Sequence, residues 1–368
     1  MNYNWQQVNW PNFQYSISSI EDIEAKFFQR SGRTTGLIEG LTEKNQNKTL
    51  VDIMVIEAMK SFEIEGEYLS RKDVMSSIKN NLGFNNKLET VKDKKSKGAA
   101  DLMVDVRKSF AAKLTQQKLF DWHKMIVQDN TGIKVGKWRD HAEPMQVVSG
   151  ALGKEKIHFE APPSSIVPNE MRAFISWFNN TAPGQKNEIK TPITRAAIAH
   201  LYFETIHPFE DGNGRIGRVL SEKALSQGLG HPILLSISKT IESNKNAYYG
   251  ALKNAQRTTE ITKWLKYFAN TILDAQKDSE ERIEFSLKKS KFFDKRKAAL
   301  NDRQFKAVNR MLTEGPKGFE GGMTAGKYIS LTRASKATAT RDLQGLVRKG
   351  IFVPSGGGRS TSYDINID

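Results

Sequence analysis

The chain has 368 residues, 38% of them hydrophobic, with no cysteine and a net charge of +15. That length admits two or three domains, and that apolar share supports a buried core rather than a disordered chain. The missing cysteine excludes disulfides, thiolate catalysis and cysteine-based zinc sites, and no apolar run approaches the ~20 residues of a membrane span.

The start, Met1-Asn2-Tyr3-Asn4-Trp5-Gln6-Gln7, carries neither a basic patch nor an apolar stretch. No signal peptide is therefore expected, and the expected address is the cytoplasm. Residues 1 to about 45 open with Trp5, Trp10, Phe13 and Tyr15, then a helix begins at Ile20 with Ile23, Phe27 and Phe28 on one face. A second helix is predicted over about 48–65. Leu50, Ile53, Met54, Ile56, Ala58 and Met59 make it apolar on more than one side, so it should be buried, with Gly66 as its stop. Residues 87–97, with Lys94, Lys95 and Lys97, read as a surface linker. Helical periodicity returns from Gly98 to about Gln128.

Residues 145–148 and 157–159 read as short strands around a loop at 149–153, a hairpin closed by Pro162-Pro163. Helices follow at about 168–179, at 192–206 with proline in the first turn, and at 213–227, 243–256 and 261–286. From Lys297 the patterns shorten: helices at 301–313, 324–329 and 335–348, then strand-like Ile351-Phe352-Val353, the run Gly356-Gly357-Gly358, and Thr361-Ser362-Tyr363. Three helices and a two-stranded wing outline a winged helix. The fold class expected is mainly α: a helical core with a small β-hairpin, plus a C-terminal winged helix-turn-helix domain.

The chemistry concentrates in His207-Pro208-Phe209-Glu210-Asp211-Gly212-Asn213-Gly214-Arg215-Ile216-Gly217-Arg218. Pro208 pushes His207 out of the α region, so the histidine sits in a loop at a helix end. Six residues later Asn213 opens the next helix, whose free amides and dipole attract an anion such as pyrophosphate. Gly212 and Gly214 leave room for backbone to approach a ligand. Arg215 and Arg218, three apart, share one helix face and suit phosphate oxygens. Asp211 stands where a carboxylate would hold Mg²⁺ beside phosphates, and His207 can accept a proton from a hydroxyl. Base, metal ligand, anion nest and charge clamp describe phosphoryl or nucleotidyl transfer. About eight specified positions at ~1/20 each make a chance match of order 10⁻¹⁰ per start site.

The segment resembles the signature of the Fic family, His-x-Phe-x-Asp-Gly-Asn-Gly-Arg-x-x-Arg. The resemblance implies a protein adenylyltransferase (AMPylation) using ATP and Mg²⁺, in which a target Ser, Thr or Tyr hydroxyl attacks the α-phosphorus and pyrophosphate leaves. It implies His207 as general base, Asp211 as metal ligand, Gly212, Asn213 and Gly214 around the phosphates, Arg215 on the β-phosphate and Arg218 on the γ-phosphate. Phe209 would pin the loop into the core. Gly214 favours AMP transfer over the kinase-like variant, which usually has Lys there. The hairpin 145–159 corresponds to the family's flap, which docks the target by strand pairing. Tyr248 and Tyr249, with Leu252, resemble its adenine pocket, while Gln256 stands where many members have Asn.

Many Fic proteins also share Ser/Thr-x-x-x-Glu-Gly/Asn on an inhibitory helix. Ser61-Phe62-Glu63-Ile64-Glu65-Gly66 fits it, and so does Thr35-Gly36-Leu37-Ile38-Glu39-Gly40. Glu65 is preferred because Gly32 and Gly36 should weaken a rigid helix around the first copy. A carboxylate on Arg218 would remove the γ-phosphate clamp, giving an autoinhibited enzyme. On this reading residues 1–95 form an inhibitory helical region, 96–290 the catalytic core and 291–368 the winged helix. Residues 286–368 hold 17 Lys and Arg against 7 Asp and Glu, which suggests an anionic partner for that end or a solvated basic surface. Lys336, Thr338, Thr340 and Arg341 on the candidate recognition helix, and Arg359 in the wing, are the candidate DNA contacts. The alternatives are a DNA-binding regulator with a nucleotide-sensing Fic site, or removal of AMP from a target. A homodimer is left open.

Overall fold

The computed structural model describes residues 3–127, 132–149, 156–316 and 318–367. Fourteen α-helices occur among them: α1 Glu21–Glu39, α2 Glu43–Ile64, α3 Arg71–Leu82, α4 Lys94–Lys108, α5 Gln116–Ile126, α6 Val167–Asn180, α7 Pro192–Ile206, α8 Asn213–Leu229, α9 Ile237–Ser243, α10 Lys245–Ala255, α11 Thr262–Arg296, α12 Asp302–Met311, α13 Ala325–Thr332 and α14 Lys336–Arg348. Two antiparallel hairpins complete the fold: β1 Gln146–Ser149 with β2 Lys156–Glu160, and β3 Phe352–Ser355 with β4 Ser362–Ile365. The chain divides into two compact units, Met1–Ser31 with Leu50–Ser279, and Gly32–Thr49 with Glu280–Asp368.

The first unit has one core, to which Phe27, Val55 and Phe62 contribute alongside Trp122, Phe174, Phe203, Phe209, Leu220 and Trp264. Helix α7 has no solvent-facing side: every one of its residues is buried, Arg195, His200 and Glu204 included. That pattern makes it the central element, packed against α8. The flap pairs Gln146 with Glu160 and Val147 with Phe159, then slips at a bulge so that Val148 faces Ile157. Of the loop predicted at 149–153, residues 150–153 lie outside the described residues, as does Gln128.

Several expected elements shift. The single helix predicted over 98–128 is two. Lys223 Nζ captures the carbonyls of Ser109 and Phe110 (2.6 and 2.9 Å) where α4 ends, and Thr115 caps α5 through the Lys118 amide. The predicted linker is already α4 from Lys94, because Asp93 caps it through the amides of Lys95 and Ser96. Helix α3, absent from the expectation, is bounded by a Ser70 N-cap and a left-handed Gly83. Helix α1 runs unbroken through Gly32 and Gly36, so those glycines do not discriminate between the two inhibitory matches.

In the second unit, α12, α13 and α14 enclose Val308, Met311, Tyr328, Leu343 and Leu346, with Ile351 and Phe352 leading into the β3–β4 hairpin. Asp342 is buried there and accepts from Arg303 Nε (2.8 Å), Asn301 Nδ2 (3.1 Å) and the Tyr328 hydroxyl (3.0 Å). Lys336, Thr340 and Arg341 are exposed on α14, and Thr338 is half-buried. The side chain of Arg359 lies outside the described part.

Candidate active site

Because α7 is buried throughout, its C-terminus delivers His207 into the interior. The backbone there turns left-handed, with His207 at φ 49° and ψ 60°, the departure from helix that Pro208 imposes on its predecessor. Such a φ is uncommon for a residue with a Cβ, and Arg139 holds it in place. The Arg139 guanidinium donates to the carbonyls of His207 (2.7 Å), Ile206 (3.2 Å) and Pro162 (2.6 Å) and to Ser164 Oγ (2.9 Å). The Arg139 amide donates to the Pro208 carbonyl at 3.0 Å. Burial brings Arg139 down to about 10, which leaves it charged at neutral pH. Burial, and then the Arg139 charge, push the His207 ring down to about 4. The imidazole is therefore neutral at pH 7 and keeps a lone pair. Its Nδ1 lies 3.8 Å from Glu204 Oε2. Burial, with the Glu65 charge second, raises the Glu204 carboxyl to about 8.

The loop after His207 is closed by its own side chains. Asn213 Nδ2 donates to the Phe209 carbonyl (2.8 Å) and Asn213 Oδ1 accepts from the Phe209 amide (2.9 Å). The Asn213 side chain thus holds the turn, leaving its backbone at the start of α8, where the first amides lack intrahelical partners. Phe209 is fully buried and stacks on His123 with ring centroids 4.1 Å apart. His123 Nδ1 accepts from the Gly136 amide (2.8 Å), so Nε2 carries the proton and donates to the Asp211 carbonyl (3.1 Å). Burial lowers His123 to about 4, consistent with that neutral form. Gly212 sits at φ 84°, and a Cβ there would stand 2.9 Å from Ile126 Cδ1.

Both arginines are buried and engaged by acids. Arg218 Nη2 meets Glu65 Oε1 at 2.8 Å and the Ser61 carbonyl at 2.7 Å, while Nε donates to Ser61 Oγ at 3.0 Å. Burial opposes the Arg218 charge, but the Glu65 carboxylate together with Tyr248 and Glu204 outweighs it and the guanidinium pKa rises. Gly214 makes the approach feasible, since a Cβ there would be 2.3 Å from Glu65 Oε1. Ser61 lies in the last turn of α2 and Glu65 in the turn just beyond it, which Gly66 closes at φ 81°. Arg215 lies between Glu67 Oε1 (2.6 Å) and Asp211 Oδ2 (2.8 Å). Burial would raise the Asp211 carboxyl, yet Arg215 holds it below its ordinary value.

The tyrosines part company. Tyr248 is buried, with its hydroxyl on His200 Nε2 at 2.7 Å, whereas Tyr249 beside it is 43% exposed. Gln256 is buried, donating to the Glu204 carbonyl at 3.3 Å and accepting the Asn4 amide at 2.9 Å. Arg139, His123, Glu204 and Glu67 escape sequence reasoning, because each acts on the loop or the arginines from outside the motif. Glu67 carried a signal, standing two residues beyond Glu65.

A family model described as Fic/DOC family matches residues 113–225. That stretch, and with it the loop after His207, is a Fic/DOC match. Ahead of the Fic core, residues 3–84 match a domain of unknown function (DUF4172). Ser61, Glu65 and Glu67 lie in that stretch and Arg215 and Arg218 in the Fic match, so the two matched stretches meet at the arginines. The chain is 31% identical over 121 residues to a probable protein adenylyltransferase of Aquifex aeolicus (strain VF5), covering 30% of this chain and 36% of that protein. It is 28% identical over 130 residues to the protein adenylyltransferase Fic of Nematostella vectensis, covering 35% and 28%. The chain thus spans about a third of the length of these relatives. In fold it is similar to a crystal structure of a Fic family protein from Desulfovibrio desulfuricans G20, with a TM-score of 0.56, 18% identity and coverage of 97% and 98%. No helix among the described residues is long and apolar enough to cross a membrane.

Proposed function

We propose that this Fic protein transfers AMP from ATP to a hydroxyl of a target protein and is held at rest by Glu65. The observation that carries the reading is His207 fixed through its carbonyl by Arg139 beside the start of α8, with Arg218 occupied by Glu65. His207 Nε2 takes the proton of the target hydroxyl as its oxygen attacks the α-phosphorus. The new bond is oxygen to phosphorus, and the bond to pyrophosphate breaks. The first amides of α8 with Arg215 and Arg218 hold the β- and γ-phosphates, binding the leaving group as its charge grows. For that, Glu65 and Glu67 must give way. Tyr249, exposed on α10, would be the tyrosine to meet the adenine. The flap edge lays the target segment along β1–β2.

Asp211 offers one carboxylate, 46% exposed, directly ahead of the α8 N-terminus. One protein carboxylate with phosphate oxygens and water is a donor set that Mg²⁺ accepts, so the residues fit. Asp211 would hold the ion, which neutralises phosphate charge when bound.

On this reading residues 1–95 carry the brake, 96–290 the catalysis and 291–368 a winged helix, and ATP as donor suits a cytoplasmic address. Purified Glu65→Gly protein incubated with ATP and cell lysate should yield peptides bearing an AMP mass on Ser, Thr or Tyr. The same protein with His207→Ala should yield none. Equal adducts in both would sink the reading.

A second reading concerns the second unit alone. Lys336, Thr340 and Arg341 are exposed on α14, while Ala339, Asp342, Leu343 and Leu346 are buried in its core. That face suits duplex DNA. Affinity for a duplex should fall steeply with salt, and a slope near zero would remove the electrostatic case.

A further inference from the structure

The AMP transfer proposed above uses none of the aromatic and polar residues that open the chain, yet these make specific contacts. Asn4 has no exposed surface. Its amide donates to the Gln256 carbonyl (2.9 Å), and its Nδ2 donates to Thr205 Oγ1 (3.2 Å), two residues before His207. Trp5 donates its indole N–H to the carbonyl of Glu160, the last residue of β2, at 2.8 Å. The Tyr3 ring meets Phe159 edge-on at 5.0 Å. The Arg257 guanidinium lies 4.0 Å from the Tyr3 ring centroid and donates to the His158 carbonyl at 3.4 Å. Gln7 Nε2 returns to the Arg257 carbonyl at 2.8 Å. Three consecutive residues of the flap strand, His158, Phe159 and Glu160, are thereby tied to the chain's start and to the end of α10.

A two-stranded hairpin is marginal by itself. This one is interrupted by a bulge and exposes Val147, Val148 and Ile157, so its position depends on what anchors its base. We propose that residues 3–7 are a positioning element for the acceptor: Asn4 and Trp5 set β2, and with it the edge that receives an extended, hydroxyl-bearing segment, at a fixed distance from His207. This inference rests on the transferase reading. It assigns a role to the first residues of the stretch matched by the domain of unknown function. The anchor reaches the α7 end through Thr205 but touches neither Arg215, Arg218 nor Asp211. Its loss should therefore misplace the acceptor and spare the nucleotide. A misplacement of about 1 Å costs on the order of a hundredfold in rate.

The test uses full-length Glu65→Gly protein as parent, with Trp5→Phe, which keeps a ring and removes the N–H, and Trp5→Ala. Hydrogen–deuterium exchange of peptides covering 156–161 reads the anchor. Transfer of α-labelled AMP onto a full-length His207→Ala copy, with ATP varied, reads its consequence. Trp5→Phe should speed exchange in 156–161 and lower turnover roughly three- to tenfold. Trp5→Ala should lower turnover about a hundredfold. The KM for ATP should stay within about twofold in both, a split that general damage to the fold would not produce. Unchanged exchange overturns the proposal, as does faster exchange with full turnover, or a KM for ATP that climbs as turnover falls. Where the copy takes no label, lysate protein serves as the acceptor; a parent that labels neither sinks the transferase reading before any Trp5 substitution is made, so the two failures are told apart.

Discussion

Replacing Glu65 with alanine should make the protein less stable alone and better at binding ATP, for one electrostatic reason. Arg218 is 1% exposed and Glu65 30% exposed, and they meet at 2.8 Å. A hydrogen bond between charged partners contributes about 1.5–3 kcal/mol. Ser61, which also accepts from Arg218, keeps the truncation from reaching the larger cost of a wholly unpaired buried charge. At about 2–4 °C per kcal/mol for a unit of this size, Tm should fall by roughly 3–12 °C. On the proposed reading the γ-phosphate takes the same guanidinium, so the energy no longer spent on displacing Glu65 should appear as about ten- to hundredfold tighter ATP binding. Calorimetric unfolding with and without ATP, and titration calorimetry, read the two halves. Saturating ATP should restore much of the lost Tm by linkage. A variant as stable as the parent, with unchanged ATP affinity, would refute the competition for Arg218.

Three further expectations follow from neighbouring contacts. Glu67→Ala frees Arg215 from its 2.6 Å partner and should tighten ATP binding by about three- to tenfold, adding to Glu65→Ala; no change in a titration would place Arg215 outside the phosphate clamp. Gly214→Ala puts a Cβ 2.3 Å from Glu65 Oε1, so it should lower Tm in the parent and cost much less in Glu65→Ala protein; equal losses in both backgrounds would contradict that crowding. Glu204 is raised to about 8 by burial first and Glu65 second, so the folded chain keeps a proton that the unfolded chain releases, and stability is lost as pH rises from about 4.5 toward 8. His123, His200 and His207, pushed to about 4, 3 and 4, chiefly by burial, oppose this only below their ordinary 6.5. Between pH 6.5 and 8.5 the Tm of the parent should therefore decline more steeply than that of Glu204→Gln, and matching slopes would contradict the buried, protonated carboxyl.

What the sequence made legible was local. Pro208 beside His207, the glycines and the two arginines one turn apart are spacing facts, and spacing fixes a loop leading into a helix start. The hairpin and most helix positions followed from periodicity for the same reason. The rest depends on distant parts of the chain. Arg139 reaches His207 from 68 residues away, and no pattern announces a guanidinium spent on carbonyls. His123 supports Asp211 across 88 residues. The break between α4 and α5 is set partly by Lys223, more than a hundred residues on. Choosing between two inhibitory matches by glycine propensity could not succeed, because tertiary packing overrides a cost of about 1 kcal/mol per glycine; what the structure adds is the Arg218 contact with Glu65. Tyr248 and Tyr249 are adjacent in sequence, but only burial separates the one bonded to His200 from the one left open to solvent.

The central claim concerns which phosphorus is attacked, and a paired isotope measurement on Glu65→Gly protein tests it most directly. With ATP labelled at the α-phosphate, protein should gain label in step with pyrophosphate release, and His207→Ala should abolish both. With ATP labelled at the γ-phosphate, no label should enter protein. Label carried over from the γ-position, or α-label gained without pyrophosphate, would contradict the account.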